Sequence, residues 1–312
     1  MSFNPGNWIA ALSIGLLALA TSHAKAQDAE DVSEVSLIAE TTRVYPGQTI
    51  LLGLRFELKD KWHIYWHGRN DTGFAPIANW ALPEGVTVGP MLWPAPQRYE
   101  SPGNILDHVY EGQPTILVPL TVAAGARPGT SLNISGEIEW LVCRDICLPG
   151  FGPVSLNLEV VPPPQQDAGA DDPLSSSGDI GRAAARLPEP VTAGDAPEGL
   201  RLQWSDRVVT VQYPGASSLA FYPAMASTSL VSAFEDATAD GDSLSLRLAS
   251  RERDLSDEAE RRLVGVLEAT MQGDESRWYL INFGADGFRT PEQTELISRV
   301  RERVGNRSQR GG

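Results

Sequence analysis

Two cysteines, Cys143 and Cys147, are all the chain has, in Trp140-Leu-Val-Cys143-Arg-Asp-Ile-Cys147-Leu-Pro-Gly150. In an oxidising compartment such a close pair is either a staple or a redox centre. As a staple it would contribute little, because closing a five-residue loop is worth roughly 2 kcal/mol against about 5 for a loop of a hundred residues. Five residues of extended strand would hold the two Cα atoms about 13 Å apart, far beyond what a disulfide spans, so the segment must turn. One turn of helix would serve, but the flanks favour a hairpin with Arg144, Asp145 and Ile146 as its loop. Ile138, Trp140 and Val142 alternate with Glu137, Glu139 and Leu141, and Val154, Leu156, Leu158 and Val160 alternate again beyond Pro153. A hairpin tip supplies the access that disulfide exchange needs. Arg144 favours a nearby thiolate and Asp145 opposes it, so their net effect has no sign at this stage. On these residues alone, bridge and redox centre stand about even: the compartment favours the first and the small loop the second.

Histidine is the other chemistry-bearing type. His63 and His67 have the i, i+4 spacing of a helical metal pair, and His108 is the remaining one beyond the leader. Trp62-His-Ile-Tyr-Trp-His67 alternates in period two, however, with Trp62, Ile64 and Trp66 on one face and His63, Tyr65 and His67 on the other. A strand would then set the two imidazoles about 13 Å apart, too far to chelate one ion. The expectation is a half-exposed strand with its polar groups outward and no metal site. A copper site using His and Cys is a minor alternative. Asp71 and Glu84 read as turn residues. There is no Gly-rich phosphate loop and no Gly-x-Ser-x-Gly elbow.

These residues lie downstream of an apolar run, Trp8 to Ala20, followed by Ala24-Lys25-Ala26, a small-x-small cleavage site. Residues 1–26 are expected to be a signal peptide, although Met1 to Asn7 contains no Lys or Arg. The run is too short to span a bilayer. Removing Lys25 and no acid changes the net charge from −15 to −16. With no basic patch, nucleic acid and anionic lipid are poor partners. The 286 residues left of 312 suffice for two domains with cores of their own.

Residues 27–161 are rich in Gly, Pro and aromatics, with alternating runs at Ile50 to Leu58, Trp62 to Trp66, Thr115 to Val122 and Leu132 to Val142, a β-sandwich pattern. The stretch Trp93 to Gly103, with Pro94, Pro96 and Pro102, reads as a mobile loop too broken for a strand, whose Tyr99 could fold over a neighbouring site. A Pro-, Asp- and Ser-rich linker is expected over 162–198. A second β-rich domain without cysteine follows over 199–306, and 307–312 read as a disordered tail. Strand-like stretches occur at Leu200 to Trp204, Val208 to Tyr213, Leu219 to Tyr222, Leu244 to Leu248 and Trp278 to Phe283. Leu263 to Thr270 fits helix or strand. Thr290-Pro291-Glu-Gln293 reads as a capping box opening a short helix with Leu296, Ile297, Val300 and Val304 on its apolar face.

Lys61-Trp-His-Ile-Tyr-Trp66, Asp71-Thr-Gly73, Trp80-x-Leu-Pro-x-Gly85, Trp93-Pro-Ala-Pro96, Tyr110-Glu-Gly112 and Trp140-Leu-Val-Cys-x-x-x-Cys-Leu-Pro149 form an ordered series over roughly residues 35 to 161. It resembles the N-terminal periplasmic domain of the thiol:disulfide interchange protein DsbD, in the variant found in the copper-sensitivity protein ScsB. Beyond the linker, Phe221-Tyr-Pro223 and Leu263-Val-Gly-Val-Leu267 resemble the second extracytoplasmic segment of ScsB-like members, which favours a strand for the latter. The resemblance implies an immunoglobulin-like domain whose cysteine pair, its only redox group, takes electrons from a partner domain and passes them to oxidised periplasmic proteins through mixed disulfides. Cys143 and Cys147 match that pair. His63 and Tyr65 fall where the family places side chains beside it, and Gln97 to Tyr99 where it places a shielding cap. By the same resemblance Cys147 bonds the outside partner and Cys143 resolves. Full-length members continue into a membrane domain and a thioredoxin-like domain, so the expected partners are periplasmic thioredoxin-like proteins or a separate membrane electron carrier. A non-enzymatic binding protein with a permanent bridge and a copper-handling protein are the rival readings.

Overall fold

A computed structural model describes residues 28–164, 178–249 and 261–308. The expected signal peptide, the middle of the expected linker and residues 309–312 lie outside the described residues. The fold is mainly β, with an immunoglobulin-like first domain, a second β-rich domain and a short helix near the C-terminus.

The first domain packs two sheets face to face. One orders the strands Ser33–Ala39, Thr49–Leu58, Thr115–Val122 and Val86–Val88. The other orders Arg43–Val44, Cys147–Val160, Ser131–Cys143, His63–Tyr65, Ile105–Glu111 and Gln97–Ser101, with Ile77–Ala81 also on Ser131–Cys143. Alternation explains the packing. Leu52, Leu54 and Phe56 meet Ile134, Ile138, Trp140 and Val142 between the layers, and Phe56 and Trp140 make an edge contact with centroids 6.0 Å apart. Thr49–Leu58 is buried almost continuously, because its outer face is covered as well. The cover comes from the stretch read as linker, which contains a helix, Asp179–Ala185, and a short strand, Glu189–Pro190. Ile180, Ala183, Ala184 and Leu187 pack on Leu51, Leu92 and Leu117, joined by Ile297 and Val300 of the C-terminal helix. Enough apolar side chains sit at helical spacing among the breakers to bury a face.

The second domain also has two sheets, one built on Ala216–Pro223, Arg262–Met271 and Ser276–Gly284, the other ordering Arg201–Ser205, Val208–Gln212 and Ser243–Arg247. Leu263 to Thr270 is therefore strand. The C-terminal helix, Thr294–Ser308, begins later than the expected capping box and runs into the expected tail. Gln293 has φ +63°, outside helical space, so it ends the preceding turn, and the Thr294 hydroxyl donates to the Pro291 carbonyl at 2.8 Å. Among the described residues no helix is long and apolar enough to cross a membrane.

Candidate functional site

Ser131–Cys143 and Cys147–Val160 form an antiparallel hairpin in unbroken register from Ser131 opposite Glu159 to Cys143 opposite Cys147. Arg144, Asp145 and Ile146 close it, and the Arg144 amide donates to the Ile146 carbonyl at 3.1 Å. One close approach fixes the hairpin near its tip. Trp140 lies opposite Gly150, and a Cβ on Gly150 would fall 2.2 Å from the Trp140 ring, while the indole N–H donates to the Ser33 hydroxyl at 3.0 Å.

Cys143 and Cys147 form a disulfide with Cα atoms 4.1 Å apart. Its two ends differ in exposure. Cys143 is 2% exposed, against Tyr65 and Val109 with Tyr99 and Leu141 beside them, whereas Cys147 is exposed. Arg144 and Asp145 are paired with each other at 2.8 Å, and Arg144 also lies over the Trp62 ring at 5.1 Å, so the loop presents a neutralised ion pair to the cysteines.

His63 and Tyr65 share a face, as period two requires, with ring centroids 5.4 Å apart. The expectation that this face is half exposed is wrong, since both side chains are buried. Two segments cover them. Gln97–Ser101, read as part of a broken loop, is a strand paired with Ile105–Glu111, its prolines falling just outside it, and it lays Tyr99 on His63 at 4.4 Å between centroids. The loop at Asp71-Thr-Gly73 covers Tyr65, and a Cβ on Gly73 would fall 2.2 Å from the phenol ring. His67 lies beyond the strand and stacks on Trp93 at 4.9 Å. Among the described residues no group of three or more His, Cys, Asp or Glu could hold a metal ion.

The buried Asp107 carboxylate, missed in the sequence, organises the site. One oxygen accepts from the Asp71 and Thr72 amides at 2.8 and 3.0 Å, the other from the Thr72 hydroxyl at 2.6 Å. Three donors compensate a buried charge. Asp71 is more than a turn residue, since its carboxylate accepts from the Leu106 amide at 2.7 Å. With the Thr72 proton committed to Asp107, the Tyr65 hydroxyl donates to Thr72 at 3.0 Å, and its oxygen lies 3.8 Å from Cys147 Sγ. Burial, above all, raises the Tyr65 pKa, so the phenol stays protonated at neutral pH. Burial also lowers that of His63, opposed by the Asp107 charge. A neutral imidazole and a neutral phenol thus lie beside the bridge. The arrangement leaves Cys147 at the surface beside the cover while holding Cys143 beneath it.

Residues 34–159 match the family model of the N-terminal domain of thiol:disulfide interchange protein DsbD. The DsbD match contains every residue of the site. The N-terminal periplasmic domain of ScsB from Proteus mirabilis superposes with a TM-score of 0.50 at 17% identity, covering 81% of this chain and 94% of that one. The DsbD N-terminal domain of Neisseria meningitidis, in its reduced form, aligns at 13% identity and a TM-score of 0.23, covering 41% of this chain and 83% of that one. No curated protein matches the chain.

Proposed function

We propose that the chain is an exported periplasmic thiol-disulfide exchange protein, in which the Cys143–Cys147 pair carries two electrons between partner proteins. The observation that carries this is the disulfide with one buried and one exposed end, at the tip of a DsbD-like hairpin. In the charging half-reaction, a thiolate of a dithiol partner attacks Cys147 Sγ, the Cys143–Cys147 bond breaks, and Cys143 leaves as thiolate. The partner's second thiolate then attacks its own sulfur in the mixed disulfide, leaving the partner oxidised and both cysteines reduced. In the discharging half-reaction the Cys147 thiolate attacks an oxidised partner's disulfide, and Cys143 closes on Cys147 to release that partner reduced. Tyr65, kept protonated, is placed to turn its hydroxyl from Thr72 to a Cys147 thiolate.

The partners fitting this chemistry are thioredoxin-like proteins or a separate membrane electron carrier with an accessible dithiol. Four of the six large exposed hydrophobic side chains among the described residues, Phe74, Ile77, Ile146 and Phe151, belong to the segments around the site. Ile77 and Phe151 flank Glu139 on the sheet face that also bears Cys143. Such a face suits a partner that must touch the tip and leave again.

The reduction potential tests the proposal. Equilibration of the exported chain with dithiothreitol and glutathione buffers is expected to give a value above about −300 mV, the region below which inert structural disulfides fall. A lower value, with no mixed disulfide formed by Cys143→Ala or Cys147→Ala, would return the pair to the role of staple.

A further inference from the structure

Both segments that cover the cysteine site are tied to the second domain, each by an arginine donating to main-chain carbonyls. Arg98, next to Tyr99 in the strand Gln97–Ser101, donates to the carbonyls of Ala233 and Phe234 at 3.2 and 2.5 Å, and its guanidinium lies 5.6 Å from the Phe234 ring centroid. Its side chain is only 14% exposed and also bonds Glu100 at 2.5 Å. Arg69, two residues before Asp71, donates to the carbonyls of Met225 and Ser227 at 3.3 and 2.7 Å, and its amide to that of Pro223 at 2.9 Å. Between these attachments His108, opposite Arg98 in the strand pair, packs edge-on against Tyr222 at 5.3 Å.

The receiving side is itself braced. The short helix Ala233–Asp236 is capped by the Ser232 hydroxyl, which accepts from the Glu235 amide at 3.1 Å, and held by the Arg247–Asp236 ion pair at 2.8 Å. A path of direct contacts therefore runs from that helix through Arg98 and its neighbour Tyr99 to His63, whose backbone is opposite Cys143.

We propose that the second domain, which has no cysteine of its own, is a latch on the cover of the redox site, with Arg98 and Arg69 as positioning residues that set how often Tyr99 and the Asp71–Gly73 loop open for an incoming thiol. This rests on the exchange function proposed above. Hydrogen bonds from a charged donor to carbonyls in a part-buried junction are strong enough to matter: losing one is expected to raise local opening by about tenfold or more.

Amide hydrogen exchange on the full chain reads the latch without any redox step. In Arg98→Ala, exchange across Gln97–Ser101 should accelerate about tenfold while Thr115–Val122 keeps its protection, and Phe234→Ala, which keeps the carbonyls but removes the ring under the guanidinium, should accelerate it by a smaller factor; Arg69→Ala should act like Arg98→Ala at Asp71–Gly73. Arg98→Lys, which keeps a cationic donor, should be intermediate. Reduction of the disulfide by reduced thioredoxin should accelerate with opening in the same order of variants, at unchanged reduction potential. Wild-type exchange at both cover segments in all the alanine variants would overturn the latch, as would an acceleration spread evenly over the chain with none at the cover in Phe234→Ala. If thioredoxin and dithiothreitol both fail to reduce the wild-type bridge, the exchange function falls, and the exchange pattern still decides whether the second domain holds the cover.

Discussion

Asp107 is an acid with almost no contact with water, and two amides and a hydroxyl point at its carboxylate. Thr72 is the shared member, donating to Asp107 and accepting from Tyr65. Thr72→Val leaves a carboxylate oxygen short of a donor and a phenol short of an acceptor, and is expected to cost about 1–3 kcal/mol in urea unfolding. Tyr65→Phe removes only the phenol's own bond, and about 1 kcal/mol is expected. Equal losses would remove Asp107 from the centre of the network. The cysteines were legible because their spacing is itself a chemical statement, and His63 and Tyr65 came with the motif around them. Asp107 was not, because its donors sit 35 and 36 residues away in the chain. The remaining signal was faint: an acid and a histidine, Asp107 and His108, in the middle of a strand, Ile105–Glu111, that is otherwise apolar or aromatic up to its terminal Glu111.

At the scale of elements, alternation was a good guide wherever one face of a strand is dry and the other wet. It gave the Cys143–Cys147 hairpin with its loop, and a nearly unbroken apolar run gave Thr115–Val122, which is buried on both faces. Alternation failed where prolines break the pattern. Gln97–Ser101 has prolines on either side and only five residues between them, and its strand character comes from its pairing with Ile105–Glu111, which no local pattern reveals. The helix Asp179–Ala185 was hidden by the breakers around it, although Ile180, Ala183, Ala184 and Leu187 repeat at helical spacing. The hairpin makes the sharpest prediction at this scale. In Gly150→Ala the new methyl must displace the Trp140 ring, which is held by Phe56 and Ser33, so a loss of about 1–3 kcal/mol is expected in thermal or urea unfolding. A neutral substitution would mean that the indole is free to move.

At the scale of the whole molecule the two domains act as one packed body around the site, and His108 sits in the seam between the Trp66 and Tyr222 rings. Its Nδ1–H donates to the Arg69 carbonyl at 2.6 Å, and Nε2 is buried without a hydrogen-bond partner. Burial lowers its pKa to about 4 from 6.5, outweighing the pull of Asp107 and Asp71. Between those values the unfolded chain binds the proton and the folded one does not. The His108 contribution is therefore complete above pH 6.5 and is lost as pH falls toward 4, by up to about 3 kcal/mol, with His67, also lowered to about 4 by burial, and His63 adding in the same direction. Unfolding free energies between pH 7.5 and 4 should show this slope, and His108→Gln should make it shallower; an unchanged slope would place the titration elsewhere. The central claim is that the bridge is a working one whose exposed end meets the partner, and single-cysteine trapping measures it most directly. Cys143→Ser, with only the exposed Cys147 left, is predicted to accumulate a disulfide-linked complex with thioredoxin-like proteins of the periplasm, while Cys147→Ser, with only the buried Cys143, does not. Complexes formed by Cys147→Ser alone, or by neither variant, would contradict the account.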